Sequence, residues 1–251
     1  MLCSCFLFVF LVKYIMERKV YQISIIQDIM SGFDFEPLLI LLLSLIPSLF
    51  SITVHECCHG LAALYLGDDT AKRSGRLTLN PLRHADWFGL AMMAVFHVGW
   101  AKPVPVNMYR MKNPKRDMAL TALAGPVSNF LLAFVFLFLY GALYIPFSKN
   151  AAGRYFLQML TVGGQINIGL AVFNFIPIPP LDGSKILFSL ISDEAYAKLM
   201  KYEKYGFLLL IVLVSTGILG SPLTKMINFL LTHIYLPTAQ WACRLVLHIF
   251  Y

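Results

Sequence analysis

Long apolar runs alternate with short basic stretches along this chain, and the run lengths predict helices able to cross a bilayer. From Leu38 to Leu66 the apolar character is broken by little except Pro47 and the cluster His55-Glu56-Cys57-Cys58-His59. As a helix this run measures about 43 Å, against roughly 30 Å for a bilayer core. Pro47 is expected to kink it and Gly67-Asp68-Asp69 to end it. Three further runs follow, Met118 to Phe147, Tyr155 to Pro180 and Tyr205 to about Leu231, with a weaker amphipathic tail to Tyr251. Between the first two runs, Arg76-Leu-Thr-Leu-Asn80 and Lys102-Pro-Val-Pro-Val-Asn107 alternate like short strands, and the prolines of the second suit a sheet edge. Trp87 to Ala101 is apolar but too short to span comfortably. The expected fold is an all-α membrane protein: a polytopic transmembrane helix bundle with a small strand-containing insertion between the helix of the histidine cluster and the next span.

Composition strengthens this picture. Hydrophobic residues make up 59% of the 251 and charged residues 13%, and the composition supplies too little polar surface to cover a water-exposed globule. A soluble enzyme, a disordered tail and a fibrous repeat are thereby excluded. The formal charge of +7 sits between the apolar runs, where anionic headgroups select for it, so a lipid bilayer is the expected partner and nucleic acid is not. If Trp87 to Ala101 dips in and returns, the loops at 67–86, 102–116 and 181–204 share one side and gather thirteen Lys and Arg there. The positive-inside bias then places that side in the cytoplasm of a multi-pass cell-membrane protein. A crossing segment would destroy the asymmetry. The five cysteines form neither CxxC pairs nor a spaced framework and read as reduced packing residues. Met1 to Val12 is too short to span and lacks the basic lead-in and cleavage site of a secretory signal; Met16 or Met30 is an alternative start.

The chemistry concentrates in the first long span. At 3.6 residues per turn His55 and His59 share one helix face, as two metal ligands must, with Glu56 beside them to take a proton from water at the metal. Two histidines and a glutamate in hydrocarbon are costly unless paired or metal-bound. A hydrolytic zinc site needs a third protein ligand, and Asp182, His84, His97, His233 and His248 are the candidates. Asp182 follows Pro177, Pro179 and Pro180, where a span leaves the bilayer, and reads otherwise as a helix N-cap. Topology favours it as a ligand: His59 lies about 10 Å inside the cytoplasmic end of its helix, and the span ending at Pro180 runs toward the same side. His84, in a polar loop, and His97, in the short dip, read as structural or gating residues.

Taken together, His55-Glu56-Cys-Cys-His59, Gly125-Pro126-Val-Ser-Asn129 and Asn174…Pro177…Leu181-Asp182-Gly183, in that order, resemble the site-2 protease family of intramembrane zinc metalloproteases. The stretches 76–81 and 99–107 are similar to its compact prokaryotic branch. The resemblance covers about Pro37 to Lys185. It implies His55 and His59 as zinc ligands, Glu56 as catalytic base, Asp182 as third ligand, and Asn174 near the site, holding the substrate backbone. Gly125-Pro126 and Asn129 read equally well as a kinked close-packing site between helices. The chain has no room for the PDZ insertion or the C-terminal nucleotide-sensing domain of some relatives, and Met1 to Ile29 has no counterpart in the compact branch.

The resulting organisation is an N-terminal extension at 1–36, which need not belong to the core, a catalytic transmembrane core at 37–204, and a C-terminal transmembrane helix with amphipathic tail at 205–251. The expected activity is hydrolysis, with a Zn2+ cofactor, of a peptide bond in or near a transmembrane segment of a membrane-protein substrate. Such a target must unwind locally, and the two strand-like stretches are candidate edges to capture it. The competing class is a non-catalytic membrane protein that binds a metal or helical clients, such as a transporter or an inactive relative. Repeated halves, which mark many transporters, are not visible, and Glu56 and all three ligand candidates are present.

Overall fold

The computed structural model describes residues 36–86, 102–192 and 216–250, with a few helical positions between 194 and 213. The N-terminal extension with Met16 and Met30, and the dip Trp87 to Ala101 with His97, lie outside the described residues.

The architecture is helical. Helix α1 (Glu36–Tyr65) carries the histidine cluster and runs through Pro47. Proline lacks the N–H that would bond the preceding turn, and Ser48 and Ser51 donate their hydroxyls to the carbonyls of Ser44 and Pro47, both at 2.6 Å. After the one-turn helix α2 (Thr70–Arg73) come the short turns Pro81–Arg83 and Met108–Arg110. Helix α3 (Pro114–Phe147) begins with proline, whose missing N–H is no loss at that position. Its buried Asp117 reaches back to accept the N–H of Asn113 at 2.9 Å. Helix α4 (Ala151–Asn174) starts on Asn150, whose side chain accepts the Gly153 N–H, and stops short of Pro177, Pro179 and Pro180, which cannot donate to its carbonyls. Helix α5 (Asp182–Ser189) follows at once; α6 (Gly220–Leu230) and α7 (Leu236–Phe250) are joined by a wide turn over Leu231–Tyr235.

Helix α3 packs against α1, α4, α5 and α7, and α4 lies at the centre. Most of α4's apolar stretch is buried, around Ile166, Ile168, Leu170 and Phe173, whereas α3 turns Leu131, Val135 and Leu139 outward. Both are long and apolar enough to cross a bilayer. Since lipid is as apolar as leucine, close packing and interhelical hydrogen bonds hold such helices together; Asn167 of α4 donates to Ser51 of α1 at 2.7 Å inside the bundle.

Two expectations need correction. No strand occurs among the described residues, so the strand-containing insertion is not present there. Residues 102–107 are extended, but their backbone groups are engaged by side chains instead of a ladder. The Val104 N–H goes to Glu56, the Asn107 N–H to Asp68, and the Lys102 and Pro103 carbonyls accept from Arg76, while Pro103 and Pro105 have no N–H. The last apolar run is likewise no single helix. It turns at Thr216–Leu219 about Gly217, whose φ of 74° lies in the left-handed region that glycine tolerates.

Several contacts bring the site elements to one end of the bundle. Arg110, just before α3, pairs with Asp69, just after α1. The Lys102 N–H donates to the His84 carbonyl at 2.8 Å, so the chain leaves at Asp86 and returns at Lys102 at neighbouring points.

Candidate metal centre

The HExxH turn lies within the last three turns of α1, where helical spacing puts His55 and His59 side by side, their rings 4.5 Å apart and nearly perpendicular. Their Nε2 atoms are 3.0 Å apart. Asp182 Oδ2 stands 3.2 Å from His55 Nε2 and 3.1 Å from His59 Nε2. All three side chains are buried. Asp182 is the first residue of α5 and makes no cap bond with its own helix, so the N-cap reading is set aside. The following Gly183 permits this placement, since a Cβ there would overlap the Phe175 and Ile176 carbonyls at the end of α4. Lys185, one turn on, holds its Nζ 3.6 Å from Asp182 Oδ1.

Helix α3 supplies the wall behind both imidazoles. Thr121, Gly125 and Asn129, four residues apart, lie along one stripe. The Thr121 carbonyl is 2.7 Å from His59 Nδ1, and Asn129 Nδ2 is 3.0 Å from His55 Nδ1. A Cβ on Gly125 would collide with both rings. Glu56 is also buried, and its Oε2 accepts the Val104 N–H at 2.8 Å. The extended segment that provides this amide is held at one end by the buried Arg76 and at the other by the buried Asp68, which also accepts from Thr70.

The remaining candidates stand apart. Asn174 is buried at the last position of α4 and donates to the Leu170 carbonyl at 2.9 Å, a bond to its own helix and not to the histidines or Asp182. His84 is buried with Nε2 2.8 Å from the Thr78 carbonyl. His233 is exposed, with Nδ1 on the Phe229 carbonyl, and His248 is exposed on α7. Cys57 donates to the Thr78 carbonyl, away from the cluster. Among the described residues, His55, His59 and Asp182 are the one group of three or more His, Cys, Asp or Glu whose ligand atoms lie within 4.8 Å of one another.

The donor set fits a divalent metal. Two imidazole nitrogens and a carboxylate oxygen, all lone-pair donors, converge on one point in a buried site, the two-histidine, one-carboxylate chemistry of catalytic zinc. The Thr121 carbonyl can only accept, so it fixes the His59 proton on Nδ1 and leaves Nε2 open for a metal.

Fold and site thus define a helical membrane protein with a buried metallopeptidase constellation. Residues 141–215 match peptidase family M50. The chain is 38% identical over 205 residues to "Putative zinc metalloprotease YwhC" of Bacillus subtilis, a match covering 79% of this chain and 92% of that protein. It is 30% identical over 176 residues to "Putative zinc metalloprotease Rip2" of Mycolicibacterium smegmatis, covering 68% of this chain and 66% of that one. No solved structure matches significantly. The chain belongs to peptidase family M50, the site-2 protease family, and is a zinc metallopeptidase.

Proposed function

We propose that the chain is an intramembrane zinc metalloendopeptidase that hydrolyses a peptide bond in or near a transmembrane segment of a membrane-protein substrate, with zinc held by His55, His59 and Asp182. The observation that carries this reading is the convergence of His55 Nε2, His59 Nε2 and Asp182 Oδ2, buried beside Glu56 at the end of a long apolar helix. Zinc, when bound, supplies Lewis acidity toward a carbonyl oxygen and toward water. Glu56 takes a proton from the attacking water on a carboxylate oxygen and returns it to the leaving amine, while the Val104 amide fixes the carboxylate's rotamer from Oε2. Burial excludes bulk water from the site. The substrate helix unwinds before entering, because a helical peptide bond is shielded by its own hydrogen bonds. Asn174, at the end of α4, is a candidate to hold the opened backbone once it leaves Leu170. The basic loops at this end of the bundle orient the site toward the cytoplasm of a multi-pass cell-membrane protein.

The test is Glu56→Gln, co-reconstituted in vesicles with a panel of single-span reporter proteins and read by mass spectrometry. The expected outcome is metal content equal to wild type with cleavage reduced by about 100-fold or more. Equal cleavage in the variant would remove Glu56 from the chemistry. A wild type that binds metal and cuts only soluble peptides would remove the intramembrane substrate.

A further inference from the structure

The two histidines are supported differently from behind. His59 Nδ1 faces a backbone carbonyl, which can only accept, whereas His55 Nδ1 faces the carboxamide of Asn129, which can donate from Nδ2 or accept at Oδ1. The carboxamide stands with Nδ2 toward His55, and its Oδ1 is buried without a partner. A donor at that position requires a bare Nδ1, and a neutral imidazole with bare Nδ1 carries its proton on Nε2, the atom that points at His59 and Asp182. A protonated Nε2 has no lone pair for a metal. Half a turn of the carboxamide about its Cβ–Cγ bond brings the partnerless Oδ1 onto His55 Nδ1, moves the proton there and opens Nε2. In the present orientation Oδ1 makes no hydrogen bond, so turning it onto His55 Nδ1 breaks no bond that Oδ1 now makes.

We infer that Asn129 is a positioning residue of the metal centre: it acts through His55, accepting the Nδ1–H with Oδ1 to hold the ring in the metal-binding tautomer. The inference rests on the metal reading of the His55, His59 and Asp182 group. It gives a role to part of the Gly125-Pro-Val-Ser-Asn129 motif that packing alone leaves unexplained: Gly125 makes room for the rings, and Asn129, one turn on, addresses the first of them.

The experiment is zinc affinity of the detergent-purified full chain, measured by competition with a chromophoric chelator for wild type, Asn129→Leu and Asn129→Asp. Leu matches the volume but offers no acceptor, and Asp offers only acceptors. The expected result is affinity about 10–100-fold weaker for Leu, with Asp as tight as wild type or tighter. Asn129→Ala, which also lacks an acceptor, replaces Leu if that variant is not monodisperse. Affinity in the acceptor-free variant equal to wild type overturns the inference, and so does equal weakening in Leu and Asp, the pattern of a packing role. No zinc uptake by wild type overturns the metal reading itself and is distinguishable from both.

Discussion

Gly125 shows how much of the site depends on one absent methyl group. Its Cα faces the His59 and His55 rings so closely that a side chain would have to push them aside. A displacement of about 1 Å in a catalytic group costs on the order of 100-fold in rate, so Gly125→Ala should lose cleavage to that degree and release its metal to a weak chelator. Metal retention and activity equal to wild type would mean that α3 yields and the rings do not depend on it. The legibility of the site follows from the atoms involved. His55, Glu56 and His59 are readable because two histidines stand one helical turn apart with a glutamate beside the first, and Asp182 because prolines mark where a span ends and charge marks the side on which it emerges. The Thr121 carbonyl and the Val104 amide are not readable, since backbone atoms carry no residue identity. Asn129 stood out within a motif, but only the fold shows that it faces His55.

At the scale of elements, the extended segment 102–107 illustrates why a sequence pattern can suggest the wrong structure. Alternation and prolines are equally compatible with an edge strand and with a strap whose amides and carbonyls are taken by Glu56, Asp68 and Arg76. Val104→Pro removes the amide that holds Glu56 and Val104→Ala keeps it. The proline variant should lose about tenfold or more in kcat beyond the alanine variant, with KM and zinc content shared, by the usual worth of a correctly placed proton acceptor. Equal kcat values would show that the amide does not hold the base. The break at Gly217 was hidden for a related reason, because one glycine inside an apolar run does not interrupt its hydropathy. The loop after α1 gives a pH prediction. Desolvation, the largest single influence, would raise the Asp69 carboxyl, but hydrogen bonds and charge from Arg73 and Arg110 together outweigh it and hold it below its ordinary value. Its contribution to loop stability is therefore complete above the ordinary aspartate value and is lost as pH falls through the lowered one. Because Asp69 sits in a surface ion-pair cluster with its side chain 33% exposed, Asp69→Asn should change stability at neutral pH only slightly, as chemical unfolding would report.

For the whole molecule, lipid removes the usual hydrophobic drive between helices and leaves packing and a few polar bonds. Asn167 to Ser51 is one of these, a buried bond joining α4 to α1. Asn167→Leu should cost about 0.6 kcal/mol, and under about 2 kcal/mol at most, in a mild-detergent unfolding assay; a larger loss would make that bond a principal support of the bundle. The helical, membrane-spanning character was legible from apolar run lengths. The meeting of α1 and α5 at one end was legible only through the distribution of charge in the loops, and the placement of α3 behind them shows only in the fold.

The central claim is that two half-sites, far apart in sequence, form one metal centre. Zinc content per chain of detergent-purified wild type beside Asp182→Ala tests it without knowledge of the substrate. The account predicts about one zinc per wild-type chain and a sharp fall in the variant, as removal of one of three protein ligands requires. Zinc unchanged in the variant would contradict it and move the third ligand elsewhere.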